Sequence, residues 1–427
     1  MLKTAGRLAA FVDQDRLWSR HMALARIGAF GQTGVNRPAL SALDGKARRQ
    51  LVDWGRAIGL AASVDPIANL FLELRGDHPD LAPILIGSHL DSQPTGGRFD
   101  GVFGVLAALE VMEALVAAGV PPRRTVILVA WTNEEGSRFA PGMMGSAAFA
   151  GARALEPILE LRDAEGISVK EALAALAAAE DDLPCRPLGF RPAAYIEPHI
   201  EQGPILEAAG NTIGIVSGIQ GKRTFRVTID GAEAHAGTEP HASRRDALLA
   251  AVEVVSALSR HFRDPEDITR FTVGRFTVTP NAPSVVPSRV VFSIDLRHPD
   301  AATLQALGDA IADISRANAG RCDVMVEALL HDPPLTFAPR LRDKMAGFAE
   351  TLGLRFQHMA SGAGHDARHL ARLGPAAMIF VPCKDGISHN EAESALPGDL
   401  HAGAQVLAET VEWLVQASNV DIEELAT

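Results

Sequence analysis

Three short runs of continuously apolar residues constrain the fold of this chain more than any other feature. They are residues 82–88 (APILIGS), 125–132 (TVILVAWT) and 376–381 (AAMIFV). Strands that are apolar throughout are buried on both faces, and their alternation with helices is typical of a mostly parallel sheet flanked by helices. Residues 102–116 favour such a helix, and the first eighty residues favour helices, for example over 44–58. The sequence therefore predicts an α/β fold.

The segment 218–332 has a different pattern. It contains stretches typical of half-exposed antiparallel strands, with two helical patterns between and after them. The strand stretches are 224–229, 269–278 and 290–296, and the helical patterns are 245–259 and 302–317. We therefore expect an inserted α+β domain of ferredoxin-like βαββαβ type over 218–332, within a catalytic domain made of residues 1–217 and 333–427.

Composition excludes several classes of partner. Of the 427 residues, 40 are Lys or Arg and 52 are Asp or Glu, which gives a net charge of −12. An acidic chain is poorly suited to nucleic acid or to an anionic membrane surface, so we expect neither as a partner. The three cysteines are far apart and form no CxxC pair, which argues against a disulfide framework and a thiolate zinc site. No secretory signal is evident, and we expect a cytoplasmic protein.

Polar residues follow the first predicted strand in the string GSHLDSQPTGGRFDG. His89 can bind a metal ion through one ring nitrogen, and Asp91 is spaced to hold the other. Asp100 lies in a glycine-rich loop, where the backbone can fold closely around an ion. The alternatives are a tight turn or a phosphate-binding loop, but the string matches neither GxGxxG nor a P-loop.

Two adjacent glutamates, Glu134 and Glu135, directly follow the strand 125–132. Neighbouring carboxylates at a buried strand end repel each other and are costly to desolvate, and a metal ion removes that penalty. One carboxylate can then coordinate the ion while the other takes a proton from the attacking water. Taken alone, such a pair is more often a solvated acidic turn.

Histidines occur near two further strand ends, His199 in IEPHIEQG and His389 in GISHNE. Either histidine alone would more often be structural. As a set with Asp and Glu at separate strand ends, these nitrogen and oxygen ligands suit Zn²⁺, Mn²⁺, Co²⁺ or Ni²⁺. The polar loop 362–366, which contains Gly364, is a further candidate for substrate contact.

The inserted segment contributes His235, Asn281 and Arg297. A histidine there can donate a hydrogen bond to a developing oxyanion, and an arginine at a strand end can grip a carboxylate through two hydrogen bonds. For Arg297 the simpler alternative is a surface ion pair with Asp295 or Asp300.

Six strings occur in order along nearly the whole chain: GSHLDSQPTGGRFDG, WTNEEGSRF, IEPHIEQGP, GAEAHAGT, SGAGHDA and VPCKDGISHNEAE. Together they resemble the hydantoinase/carbamoylase amidases, a branch of the dinuclear-metal aminoacylase and carboxypeptidase superfamily. That branch includes N-carbamoyl-L-amino acid hydrolases, β-ureidopropionases and allantoate amidohydrolases. The peptidase relatives usually have a carboxylate where this chain has His199, so the chain is more similar to the amidases.

The resemblance implies a zinc-exopeptidase-like catalytic domain that holds two divalent ions per subunit, with one aspartate bridging them. The implied ligands are His89, Asp100, Glu135, His199 and His389, of which Asp100 is the bridge.

The resemblance also implies catalytic and substrate-binding roles. Glu134 matches the general base, and Asp91 matches the residue behind the first histidine. His235 matches the transition-state stabiliser, and Arg297 the group that holds the substrate carboxylate. The implied substrate-binding residues are Gln202, His235, Asn281, Arg297 and Gly364.

The expected activity is hydrolysis of a small-molecule ureido carboxylate, with an N-carbamoyl-L-amino acid as the leading substrate. Allantoate and β-ureidopropionate are alternatives within the family. A dipeptidase or aminoacylase, or a non-catalytic protein that kept the scaffold, is a more distant alternative. The inserted domain is expected to act as a lid and to carry the interface of a homodimer.

Overall fold

The computed structural model describes residues 8–119 and 121–425. These residues form two compact units. The first comprises the described residues up to Ser217 together with those from Phe337 onward, and the second is Gly218–Thr336. Among the described residues, no helix is both long enough and apolar enough to cross a bilayer.

The helices and strands are numbered along the chain. The α-helices are α1 (Gln14–Ala25), α2 (Ala42–Ala57), α3 (Val102–Ala118), α4 (Met144–Phe149), α5 (Leu155–Leu159), α6 (Val169–Ala179), α7 (Ile205–Ala209), α8 (Ala247–Phe262), α9 (Ala301–Asn318), α10 (Pro339–Thr351), α11 (Ala367–Leu370), α12 (Pro397–Gln416) and α13 (Asn419–Leu425). Short 3-10 helices are Leu8–Phe11 and Lys384–Gly386. The strands are β1 (Ala29–Phe30), β2 (Gly34–Val35), β3 (Ala61–Val64), β4 (Leu70–Leu74), β5 (Ile84–His89), β6 (Val126–Trp131), β7 (Ala194–Ile200), β8 (Ile213–Ile219), β9 (Gly221–Asp230), β10 (Ala234–His235), β11 (Arg270–Thr272), β12 (Phe276–Thr279), β13 (Val285–Val286), β14 (Arg289–His298), β15 (Asp323–Asp332), β16 (Leu335–Thr336), β17 (Phe356–Ser361) and β18 (Ala376–Val381).

The first unit is built on a mixed sheet with the strand order β8-β18-β7-β5-β6-β4-β3, and β17 also pairs with β8. The four central strands, β18, β7, β5 and β6, are parallel to one another. β8 joins β18 in antiparallel fashion, as does β4 on the other side with β6. The predicted α/β sheet of mostly parallel strands is confirmed, with antiparallel strands added at its edges.

The order of the parallel strands places a topological switch at the centre of this sheet. From β5 the chain passes through α3 to β6 on one side, whereas β7 pairs with the opposite side of β5. In open α/β sheets, ligands bind outside the carboxyl ends of the strands at such a switch. The carboxyl ends of β5 and β7 are therefore where a site is expected.

Helix α3 is buried on nearly all sides because it lies between the sheet and α12. Its one fully buried acid, Glu110, accepts a hydrogen bond from the Asp13 amide and forms an ion pair with Arg16. That pairing explains how a charge is tolerated in an apolar helix.

The expectation of helices throughout the first eighty residues is wrong in part. β3 and β4 lie there and extend the sheet beyond β6. A short apolar run such as Leu70–Leu74 has the length of a strand, and its periodicity cannot be distinguished from that of a buried helix segment.

The second unit contains an antiparallel sheet with the order β11-β14-β9-β15, and β12 also pairs with β14. Helices α8 and α9 pack on this sheet and on each other. The order of elements and strands is that of a ferredoxin-like βαββαβ fold. The stretch expected as one strand over 269–278 is interrupted between β11 and β12, yet both parts pair with β14.

Candidate metal centre

Five side chains meet where the four parallel strands end. His89 is the last residue of β5, and His199 is the next-to-last residue of β7. Glu135 follows β6, and His389 follows β18. Asp100 lies in the loop that leads from β5 to α3. The structure thus brings all five predicted metal ligands together at one edge of the sheet.

The buried side of this cluster is formed by His89, Asp100 and His199. One ligand atom from each lies within 4.8 Å of the others. The Nε2 atom of His199 is 3.1 Å from Asp100 Oδ1, and the Nε2 atom of His89 is 3.9 Å from the same oxygen. All three side chains are almost completely buried.

The more accessible side is formed by Asp100, Glu135 and His389, again with ligand atoms within 4.8 Å of one another. The Nε2 atom of His389 lies 3.3 Å from Asp100 Oδ2 and 3.4 Å from Glu135 Oε2. Asp100 therefore presents one carboxylate oxygen to each group. This is the geometry expected of a bridging carboxylate.

The protonation pattern of the two buried histidines tests whether a cation fits. The Nδ1 atoms of His89 and His199 each lie 2.9 Å from a backbone carbonyl oxygen, that of Asp91 and of Ile200, so both Nδ1 atoms carry the proton. The Nε2 atoms of both rings then face Asp100 Oδ1, a buried oxygen that accepts no hydrogen bond from the described residues. Two ring nitrogens and an unsatisfied buried carboxylate oxygen that converge on one point are suited to a bound cation. The donor set and its arrangement fit a divalent metal ion.

Gly101 allows this close approach. Its φ is +66°, and a Cβ atom there would lie only 2.3 Å from the His89 ring. Its amide N–H also donates to His199 Nε2 over 3.2 Å. A side chain at this position would displace the histidine that the strand presents.

The two adjacent glutamates lie in a strongly acidic environment. Burial, together with the charges of Asp366 and Glu135, raises the pKa of Glu134 well above its ordinary value. Burial and the Asp100 carboxylate raise the pKa of Glu135 to about 8. The Oε2 atom of Glu134 lies 3.6 Å from His89 Nε2, next to the buried group. Such a concentration of buried carboxylates is stabilised by bound cations.

Asp91 contacts His89 differently from the sequence-based expectation. Its backbone carbonyl, not its carboxylate, lies at hydrogen-bonding distance from the ring, because the carboxylate is 3.8 Å from Nδ1. The carboxylate instead accepts the backbone N–H groups of Glu134 and Glu135, each over 3.2 Å. Asp91 therefore orients both the ligand and the turn that carries the candidate base.

Gln202, predicted to bind substrate, lies against the ligands. Its Nε2 donates to Asp100 Oδ2 over 2.9 Å, while its buried Oε1 has no partner among the described residues. The residue is held at a φ of +58°. Its amide therefore reaches the cluster and keeps one acceptor available.

Two supporting residues were missed in the sequence. Gln93 donates to Glu135 Oε2 from its side chain over 2.7 Å and to Oε1 from its backbone over 3.1 Å. Glu393 accepts the N–H groups of Phe99 and Asp100 over 2.8 and 3.1 Å. Each lies within a few residues of a ligand in the same motif string. That proximity is the signal that could have identified them.

The loop with Gly364 borders the same cluster. His365 is buried, and its ring packs against that of His199 with centroids 4.6 Å apart. Gly364 itself is exposed. The loop is held by Glu197, which accepts the N–H of Ala367 over 2.8 Å.

The remaining predicted residues lie in the second unit. His235 is exposed, and its Nδ1 accepts the Gly237 N–H over 3.0 Å. Asn281 is exposed at a φ of +57°, a conformation that asparagine adopts more readily than most residues. Arg297 forms two hydrogen bonds to Asp295, of 2.9 and 3.1 Å, so the ion pair considered as its alternative role is present.

Comparisons with known proteins agree with this geometry. The profile of peptidase family M20/M25/M40 matches residues 85–413. An N-carbamoyl-L-amino-acid amidohydrolase from Rhizobium meliloti is 40% identical over 403 residues, which cover 94% of this chain and 96% of the relative. An allantoate amidohydrolase from Escherichia coli is 35% identical, over 90% of this chain and 94% of the relative.

A solved structure is similar over the same length. It is an amidase of the hydantoinase/carbamoylase family from Burkholderia multivorans, 43% identical, with a TM-score of 0.87 and coverage of 94% of this chain and 97% of that one. The five ligands, the adjacent glutamate pair and these matches over nearly the whole chain lead to one assignment. The chain belongs to the hydantoinase/carbamoylase amidases of peptidase family M20/M25/M40.

Proposed function

We propose that this protein hydrolyses the carbamoyl group of N-carbamoyl-L-amino acids. The observation that carries the proposal is the Asp100-centred ligand cluster with Glu134 beside it. The overall reaction consumes one water and releases the L-amino acid, carbon dioxide and ammonia. The 40% identical relative named N-carbamoyl-L-amino-acid amidohydrolase supports this choice of substrate.

We assign two divalent ions to each subunit, drawn from Zn²⁺, Mn²⁺, Co²⁺ and Ni²⁺. His89 and His199 would hold one ion, Glu135 and His389 would hold the other, and Asp100 would contribute to both. When bound, such ions polarise the substrate carbonyl and lower the pKa of the attacking water. The absence of thiolate among the ligands supports this selection of metals.

Glu134 is the proposed general base. It takes a proton from the water that attacks the ureido carbonyl carbon, and it delivers that proton to the nitrogen of the amino acid as the C–N bond breaks. The carbamate fragment then separates into carbon dioxide and ammonia. The backbone N–H groups of Glu134 and Glu135 donate hydrogen bonds to the Asp91 carboxylate. These hydrogen bonds hold Glu134 in place for both proton transfers.

Substrate binding is assigned to Gln202, Gly364, His235, Asn281 and Arg297. Arg297 binds the substrate carboxylate, and His235 donates to the oxyanion of the tetrahedral intermediate. Arg297→Ala is expected to raise KM for carboxylate substrates. An unchanged KM would remove this role and favour a structural role for Arg297 through its ion pair with Asp295.

The second unit is assigned the roles of lid and dimerisation surface. β15 is a terminal strand of its sheet and exposes Met325 and Leu329, with 59% and 48% of their surface accessible. An edge strand with exposed apolar residues can pair with a second copy of itself. Light scattering should give the mass of a homodimer, and Met325→Lys should shift it toward the monomer. A cytoplasmic location completes the proposal and agrees with three cysteines that form no disulfide.

Allantoate and β-ureidopropionate are the alternative substrates, because each carries a ureido group near a carboxylate. The allantoate amidohydrolase relative from Escherichia coli favours the first of them. A dipeptidase or aminoacylase would use the same metal centre on a different carbonyl. A non-catalytic scaffold is disfavoured because each expected ligand and the base are present.

The decisive experiment measures ammonia release by chelator-stripped protein, with and without added Mn²⁺. The substrates are N-carbamoyl-L-methionine, β-ureidopropionate and allantoate. Metal-dependent ammonia release from N-carbamoyl-L-methionine supports the proposal. Release from β-ureidopropionate alone or from allantoate alone would make that compound the proposed substrate instead. Hydrolysis of peptide or acyl substrates only would overturn the carbamoyl assignment, and inactivity on every substrate would favour the scaffold.

A further inference from the structure

Met143 has an unusual backbone conformation close to the candidate base. Its φ is +52°, in the left-handed region that bulky side chains rarely adopt. Its N–H donates to the carbonyl of Glu134 over 2.7 Å, and the N–H of Met144 donates to that of Asn133 over 3.2 Å. The chain is therefore folded back onto the glutamate turn. Strained residues of this kind persist where the surrounding structure holds them, often at functional sites.

The side chain of Met143 reaches the loop on the other side of the cluster. A Cβ atom built on Gly364 would lie 3.3 Å from Met143 Cε and 3.6 Å from its Sδ. Gly364 is exposed and Met143 is half-buried, so both are accessible to solvent. The thioether thus fills the space beside the glycine.

These contacts form a continuous path along the site. Glu134 is joined to Met143 by a backbone hydrogen bond, the Met143 side chain lies beside Gly364, and the next residue, His365, packs on the candidate ligand His199. In a site rich in carboxylates and imidazoles, Met143 provides a partly accessible apolar surface. An L-amino acid substrate needs such a surface for its side chain.

We infer that Met143 is a specificity-determining residue whose thioether forms the wall of the pocket for the substrate's amino acid side chain. The inference rests on the proposed function. Because methionine is flexible and polarizable, it adapts to aliphatic side chains of moderate size such as those of leucine and methionine. A larger aromatic side chain requires the space that Met143 fills.

The test compares kcat/KM for N-carbamoyl-L-phenylalanine and N-carbamoyl-L-alanine. Met143→Ala is expected to shift this ratio toward phenylalanine by about 10- to 200-fold, the range for a change of one methylene in an apolar pocket. Met143→Phe is expected to shift it toward alanine. The change should appear in the ratio, whereas a merely structural role would lower both values together.

The neighbouring Met144 offers a matched control. It is completely buried in a core with Phe139 and Ile67, away from solvent. Met144→Ala should reduce thermal stability and leave the ratio unchanged, and Met144→Leu replaces it if the alanine variant does not fold. A ratio that moves equally in the Met144 variant would overturn the inference.

A double-mutant cycle tests the shared space directly. Gly364→Ala places a methyl group against Met143 and should lower kcat/KM, and Met143→Ala in the same chain should recover part of that loss. Simple additivity of the two changes would contradict the contact on which the inference depends.

Failure of the inference can be separated from failure of the proposed function. If the wild type hydrolyses N-carbamoyl substrates but both Met143 variants keep the wild-type ratio, only the role of Met143 is refuted. If the wild type hydrolyses N-acetyl-L-amino acids instead, the proposed function is refuted and the same ratio is measured on the acetyl series.

Discussion

The Nδ1 atom of His89 lies 2.9 Å from the backbone carbonyl oxygen of Asp91 and 3.8 Å from its carboxylate. The main chain therefore sets the tautomer of the first metal ligand, and the carboxylate is available for another task. It accepts the N–H groups of Glu134 and Glu135, so one residue positions the candidate ligand on β5 and the proposed base after β6.

Asp91→Asn tests this division of roles. Asparagine has one acceptor oxygen where aspartate has two, so one of the bonds from the Glu134–Glu135 turn should weaken. We expect turnover to fall by about 10- to 100-fold, the range for residues that orient metal ligands. Nitrogen NMR of His89 should still show the proton on Nδ1. Loss of that tautomer in the variant would instead assign the role to the carboxylate.

Substitution should show that the two adjacent glutamates have different roles, Glu134 as the general base and Glu135 as a metal ligand. Glu134→Gln should lower kcat by about 10²- to 10⁴-fold while metal content stays at the wild-type level, because general-base catalysis contributes that much. Glu135→Gln should lose metal as well as activity, because Glu135 lies 3.4 Å from His389 in the accessible ligand group. Elemental analysis and steady-state kinetics distinguish the two. Equal metal loss in both variants would contradict the assignment.

Removing metal should destabilise the fold as well as abolish turnover. Burial and the neighbouring carboxylates raise the pKa values of Glu134 and Glu135, and bound cations would offset that cost. A ligand at one hundred times its dissociation constant stabilises a protein by roughly 2.7 kcal/mol. Dialysis against a chelator should therefore lower Tm, and Mn²⁺ should restore it. A Tm that does not respond to either treatment would argue against metal binding by the folded chain.

Asp44 should make stability depend on pH. Burial raises its pKa from 3.8 to about 6, despite the nearby Arg48 charge. Its contribution to the free energy of unfolding is complete below about pH 4 and is lost as pH rises through about 6. At roughly 1.4 kcal/mol per pH unit, the charged form is disfavoured by about 3 kcal/mol at neutral pH.

Asp44→Asn removes that charge and can keep the acceptor for the Leu40 N–H, which Asp44 Oδ2 accepts over 2.8 Å. The variant should be more stable than wild type at pH 7.5, with little difference at pH 4. Urea unfolding at both pH values measures this. A variant destabilised equally at both would show that the carboxylate contributes by its hydrogen bonds alone.

Much of the site could be predicted because the candidate ligands lie at the end of a buried strand or in the loop that follows it. His89, Glu135 and His389 are found from sequence in this way, since strand ends collect at one edge of a parallel sheet. Gln93 and Glu393 could not be found so directly, because polar residues near a ligand are common in loops. Only their distances to Glu135 and to the Asp100 amide reveal what they do.

Arg297 and Gln202 show that the type of a residue does not by itself predict which partner its side chain binds. An arginine at a strand end suits a substrate carboxylate and an aspartate equally well, and the structure pairs it with Asp295. Gln202 donates to Asp100 while its Oε1 stays free among the described residues. Which partner a long polar side chain meets depends on residues distant in sequence.

The sequence by itself determined the α/β class, the candidate ligands and the family, because apolar runs and short motifs are local properties of the chain. Tertiary structure decided which atoms of those residues contact one another. Asp100 lies between two groups, Asp91 turns its carbonyl rather than its carboxylate to His89, and Met143 reaches Gly364. These relationships depend on ångström-scale distances between segments far apart in the chain, which only the packing of strands and loops establishes.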